Sequence, residues 1–174
     1  MLSPEDVRLC GIAPDQELDV SGWSPRGSWY AQREPLRVGG YSGVLAVQLG
    51  PTHRVSAVQL AVSLGDAAQA FAGEGARPID LSGWDIVARP TASQRGETSS
   101  TRSIYRWGWF EIKLTQALRF IEPGAAPRCE VSYRLTRRSE RHPTLEERRA
   151  EREAGGRERA LLDQIVGSGH QRKK

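Results

Sequence analysis

Through the middle of the chain, apolar and polar residues alternate with a period of two. Leu45, Val47 and Leu49 alternate with Ala46 and Gln48, and beyond Gly50-Pro51-Thr52-His53 the residues Val58, Leu60, Val62 and Leu64 alternate with Gln59, Ala61 and Ser63. Two such runs across a Gly-Pro turn predict a β-hairpin. A second pair follows the same rule. Phe110, Ile112, Leu114, Leu118 and Phe120 share one parity, with Gln116 the exception, and Trp109, Glu111, Lys113, Thr115 and Arg119 take the other. After the turn Glu122-Pro123-Gly124-Ala125-Ala126-Pro127, Cys129, Val131, Tyr133 and Leu135 alternate with Glu130, Ser132, Arg134 and Thr136. Half-polar alternation of this kind belongs to antiparallel sheet with one wetted face. The body is expected to be mainly β.

Other signals punctuate this pattern. Ser3-Pro4-Glu5-Asp6 reads as the start of a short helix, with Ser as N-cap and acids on the positive dipole end, stopped by Gly11 and Pro14. Residues 21–40 are rich in Ser, Gly, Pro and Arg and read as loop. Asp66 to Phe71 is Ala-rich and predicts one short helix, while the polar stretch 91–103 reads as a mobile loop. Leu18-Asp19-Val20-Ser21-Gly22-Trp23 is echoed by Ile79-Asp80-Leu81-Ser82-Gly83-Trp84, and each copy precedes a polar loop and then a hairpin. The echo points to an antiparallel β-sandwich or barrel built from two similar halves, with Trp23 and Trp84 as equivalent core anchors.

The C-terminal arm opens on a capping box, Thr144 with Glu147 three positions on. The helix that follows is polar on all sides until Gly155-Gly156, where the pattern predicts a break. A second short helix then carries Leu161, Leu162, Ile165 and Val166 on one face. The boundaries expected are an acidic N-terminal arm over 1–24, the β domain over 25–138 and a basic helical arm over 139–174.

Charge sharpens this division. The 174-residue chain carries a formal net charge of +4. Residues 137–174 hold 11 Lys+Arg against 7 Asp+Glu, so the tail supplies the whole excess. Residues 1–24 set Glu5, Asp6, Asp15, Glu17 and Asp19 against Arg8 alone. Arms of opposite sign suggest contacts between copies. The chain has no Asn, hence no N-glycosylation sequon, and its acidic start shows no apolar leader. The localisation expected is cytoplasmic or virion-associated, with no membrane partner. Cys10 and Cys129 form no CxxC pair and read as reduced, buried thiols.

Catalytic signals are sparse. His53, His142 and His170 have no Cys or carboxylate at metal-ligand spacing. Gly40-Tyr41-Ser42-Gly43 is too short for a nucleophile elbow. Asp80 and Asp85 flank a Ser-Gly turn, where Asp normally caps. Neither an enzyme nor a cofactor is expected.

One constellation stands out, the run Arg102-Ser103-Ile104-Tyr105-Arg106-Trp107-Gly108-Trp109-Phe110-Glu111-Ile112-Lys113. Tyr105, Trp107 and Trp109 would share the face opposite Phe110 and Ile112 unless a bulge at Gly108 flips the register. As an interface the stripe joins Leu161, Leu162, Ile165 and Val166 in a partner-binding set, and the leading expectation is a non-enzymatic assembly protein, of phage virion or tail type, contacting other subunits including itself. A nucleic-acid-binding accessory protein is the alternative, using Arg102, Arg106, Trp107, Trp109 and Lys113 with the arginine-rich tail. A carbohydrate-binding module, stacking sugars on the same rings, is the second.

Overall fold

The computed structural model describes residues 7–66, 79, 81, 83–95, 98–119 and 128–169, with the side chains of 66, 89–92, 94–95 and 158–169 outside that description. Among the described residues, eight strands form one antiparallel sheet: β1 (Ser24–Arg26), β2 (Trp29–Ala31), β3 (Leu36–Val38), β4 (Tyr41–Leu49), β5 (Val55–Asp66), β6 (Asp85–Arg95), β7 (Thr98–Arg119) and β8 (Arg128–His142). Their order is β1-β2-β4-β5-β8-β7-β6, with β3 sharing the free edge of β4. Among the described residues there is one helix, α1, which spans Leu145–Gly169. No helix among the described residues is long and apolar enough to cross a membrane.

The alternating runs become the central strands. β4 and β5 pair from Ser42↔Ser63 to Val47↔Val58, and the Gly50 amide donates to the Arg54 carbonyl at 2.8 Å to close their turn. β7 and β8 pair from Phe110↔Arg137 to Arg119↔Arg128. The two hairpins meet along β5 and β8, which pair from Ala57↔Thr136 to Asp66↔Arg128. Leu45, Val47, Val58, Leu60, Val62, Ile112, Leu114, Val131, Tyr133 and Leu135 all turn to one side and are buried, because successive strand residues point to opposite faces. Ser56 is bulged out between Val55 and Ala57, and this break brings Val55 into the same core.

The strand order reads alike from both ends: outside each hairpin lies a further strand, β2 or β6. The two echoed turns are also alike. Trp23 N donates to Val20 O at 2.9 Å, and Trp84 N donates to Leu81 O at 2.9 Å. Trp84 is buried in the core, whereas Trp23 is half-buried against it.

Several expectations change. Where a short N-terminal helix should end, Leu9 and Ile12 instead bridge each other through a two-residue turn with Cys10 at φ 51° and Gly11 at φ 83°. Positive φ at both central residues is the tight-hairpin geometry that Gly favours. Residues 1–6 lie outside the described residues, as does the Ala-rich segment beyond Asp66. The acidic stretch is not a free arm: Val7, Leu9 and Ile12 are core residues, and Val55 N donates to Gln16 O at 2.9 Å. Its charges are also engaged, Asp15 with Arg137 at 2.7 Å and Glu17 with Arg54 at 3.0 Å. The supposed loop over 21–40 contains β1, β2 and β3, with Gly39 and Gly40 (φ 57° and 85°) as a tight turn from β3 into β4. The polar stretch 91–103 is strand on both sides of residues 96–97, since β6 and β7 pair from Arg95↔Thr98 to Thr91↔Arg102.

The chain divides at residue 142 rather than 138. Residues 1–142 form one compact unit and 143–174 a second. The capping box is present: Thr144 N donates to Glu147 Oε2 at 2.8 Å, and Glu147 N donates to Thr144 Oγ1 at 3.2 Å. Gly155 and Gly156 do not break the helix, which runs through them. Glycine lowers helix stability by about 1 kcal/mol per residue without forbidding helical backbone.

Candidate interaction site

The aromatic run on β7 does not form an open platform. Gly108 sits at φ 54°, and the β7–β8 register shifts between Gly108 and Phe110. The shift moves the buried parity from odd to even positions, so Tyr105 lies in the same core cluster as Phe110. The expectation of two opposed faces fails for that reason. Trp107 is half-buried, its ring centroid 5.9 Å from that of Trp84 at an interplanar angle of 49°. Trp109 is half-buried against the core as well.

The cations of this run are also committed, apart from Arg102, which is exposed. Glu111, whose side chain is only 12% exposed, receives Arg106 Nε at 2.9 Å, Lys113 Nζ at 3.7 Å and Arg138 Nε at 3.9 Å. A carboxylate gathering three cations holds a strand junction in place and leaves the two sequence-nominated cations, Arg106 and Lys113, turned toward an internal partner.

Sequence reasoning missed a neighbouring contact. His142 Nε2 lies 2.8 Å from Asp85 Oδ2, both side chains less than a fifth exposed. Separated by 57 positions, the two meet because β6 and β8 flank β7, where Asp85 pairs with Arg106 and Gly108 with His142. Asp80 lies outside the described residues.

A second surface lies on the face of the sheet opposite the core. There Arg26, Trp29, Ala31, Ser42, Val44, Ala46, Gln59, Ala61, Ser63 and Glu130 line an open cleft of about 510 Å³. Its floor is low because Ala31, Ala46 and Ala61 carry only methyl groups. Arg134 reaches across from β8: its guanidinium carbon stands 5.1 Å from the Trp29 ring centroid, and Nη2 donates to Gln48 Oε1 at 3.3 Å. Trp29 stood in a predicted loop, so the signal that was legible was the run of small residues between the apolar positions of β4 and β5.

Leu161, Leu162, Ile165 and Val166 fall within α1, with their side chains outside the described residues. Cys10 and Cys129 are both free; Cys129 is buried, but Cys10 is exposed at the tip of its turn, contrary to expectation. Burial, with the neighbouring Glu130 carboxylate, pushes the Cys129 thiol up from its ordinary pKa. Asp19 is held below the usual carboxylate range, chiefly by the Ser21 backbone amide that donates to it at 2.9 Å.

Comparison with known proteins gives no match to a family model, a curated protein or a solved structure.

Proposed function

We propose that this protein is a non-enzymatic assembly component whose copies associate through α1. The observation that carries the reading is that α1 is a compact unit of its own, 25 residues long, in which every described side chain from Arg149 to Arg157 is exposed. Most helices in proteins owe their stability to packing an apolar face. This one contains two adjacent glycines, which together lower helix stability by about 2 kcal/mol relative to alanine. Its capping box and the 1-2-5-6 spacing of Leu161, Leu162, Ile165 and Val166 supply a helix start and one apolar stripe near the far end. A helix of this kind gains its packing from a partner surface.

Light scattering coupled to size exclusion tests the reading on the full chain and on a truncation ending at His142. The β unit contains its own core, so the truncation is expected to fold. Association of the full chain, lost on truncation, supports the proposal. A monomer in both forms overturns it.

The nucleic-acid reading based on Arg102, Arg106, Trp107, Trp109 and Lys113 has less support, because Arg106 and Lys113 face Glu111 and Trp107 packs on Trp84. The carbohydrate reading needs the same rings exposed.

A further inference from the structure

Beside the cleft on the outer face of the sheet, over the Trp29 ring that lines it, stands the guanidinium of Arg134. Ala31, Ala46, Gln59, Arg134 and Lys113 lie side by side across β2, β4, β5, β8 and β7. Arg134 and Lys113 are thus directly opposed, an arrangement of like charges that destabilises an antiparallel pair. Lys113 turns to Glu111, while Arg134 turns the other way, over Trp29. Among the described residues, no carboxylate comes within ion-pair distance of Arg134 or of Arg26 at the cleft's edge. Arg134 Nε is moreover buried with no hydrogen-bond partner there. A half-buried guanidinium held by one neutral amide and one aromatic ring is costly without a counter-ion. Glu130, the one acid lining the cleft, lies 3.6 Å from Arg119.

We propose that this cleft binds single-stranded nucleic acid, with phosphate contacts from Arg26 in its lining and from Arg134 beside it, and a base against Trp29 and the alanine floor. Basic residues around an aromatic ring on a sheet face are the parts such sites use. Gln59, Ser42 and Ser63 add polar groups that suit base edges and sugar hydroxyls. The cleft volume falls within the range of ligand sites, ~300–1,000 Å³. An acidic peptide fits less well. Extended peptides usually gain affinity by pairing with a free strand edge. Here the cleft is floored mainly by β4 and β5, which are paired on both sides.

The test is fluorescence anisotropy of a labelled oligothymidylate with the full chain at low salt. Trp29→Leu and Arg134→Gln are each expected to weaken binding by about tenfold, the scale of one lost stacking or phosphate contact. Arg26→Gln changes an exposed side chain, so it keeps the test valid should Arg134→Gln fold poorly, and it should flatten the salt dependence by about one phosphate's worth. Arg102→Gln, outside the cleft, should leave affinity unchanged. Absence of binding by the wild-type chain overturns the proposal. So does loss of binding in Arg102→Gln with the cleft variants unaffected, or equal displacement by polyglutamate, which would assign the cleft to acidic polypeptides.

Discussion

The Thr101 hydroxyl donates to Gln116 Oε1 at 3.5 Å, although both residues belong to the single strand β7. A straight strand would separate them by about 50 Å, at ~3.3 Å per residue over the 15 steps between them. The strand therefore doubles back, and Tyr105 of its first half joins Phe110, Ile112 and Leu114 of its second in one core cluster. Gln116 interrupts the apolar parity of β7 because a polar partner meets it there.

Gly108 makes the reversal possible. At φ 54° it occupies a region that costs a residue with a Cβ about 1–2 kcal/mol. Gly108→Ala should lower the melting temperature by roughly 2–8 °C, given ~2–4 °C per kcal/mol for a domain of this size. Differential scanning calorimetry checks this, and an unchanged melting temperature would count against a strained turn at that position.

Glu111 should matter more than its place on the wetted side of a strand suggests. Glu111→Gln leaves Arg106, Arg138 and Lys113 facing one another, with an expected loss of about 1.5–3 kcal/mol, the scale for hydrogen bonds to charged groups. Urea denaturation should show the deficit shrinking at high salt, where repulsion among the three cations is screened.

The N-terminal segment is held by packing rather than charge. Ile12→Ala should cost about 2–5 kcal/mol, the range for truncating a buried Ile. Asp15→Asn and Glu17→Gln remove exposed ion pairs and should each cost less than ~1 kcal/mol. The reverse ranking in chemical denaturation would restore the picture of an electrostatically tethered arm.

Much of the fold was legible because it is written in local sequence. The period-two runs gave both central hairpins, Thr144 and Glu147 gave the helix start, and the Ser-Gly-Trp echo marked two turns with the same backbone bond. What was illegible depends on distant pairing. Residues 91–103 look like loop because their side chains are hydroxylic and charged, yet pairing between β6 and β7 makes them strand. The joining of Arg134 to Trp29 requires three intervening strand pairings in fixed register. Asp85 and His142 likewise become neighbours only once β7 lies between their strands.

The Cys129 thiol gives a pH signature. Its pKa in the folded chain is raised, mainly by burial, so below the ordinary thiol value of 9.0 both folded and unfolded chains hold the proton and its contribution is fully present. As pH rises past that value the unfolded thiol ionises first, and stability is lost up to the folded pKa. Urea midpoints at about pH 8 and about pH 10 should fall less for Cys129→Ala than for wild type. Equal falls would remove this thiol from the alkaline loss.

The seam between β5 and β8 also has a consequence for synthesis. Its partners, such as Ala57 and Thr136, are far apart in the chain, so β5 leaves the ribosome long before the strand that will cover its edge. Until then the nascent chain presents an open row of amides and carbonyls beside an apolar face, the kind of edge on which unfinished chains aggregate. Closing so long a loop is slow. The yield of folded protein should therefore depend on how quickly translation delivers β8.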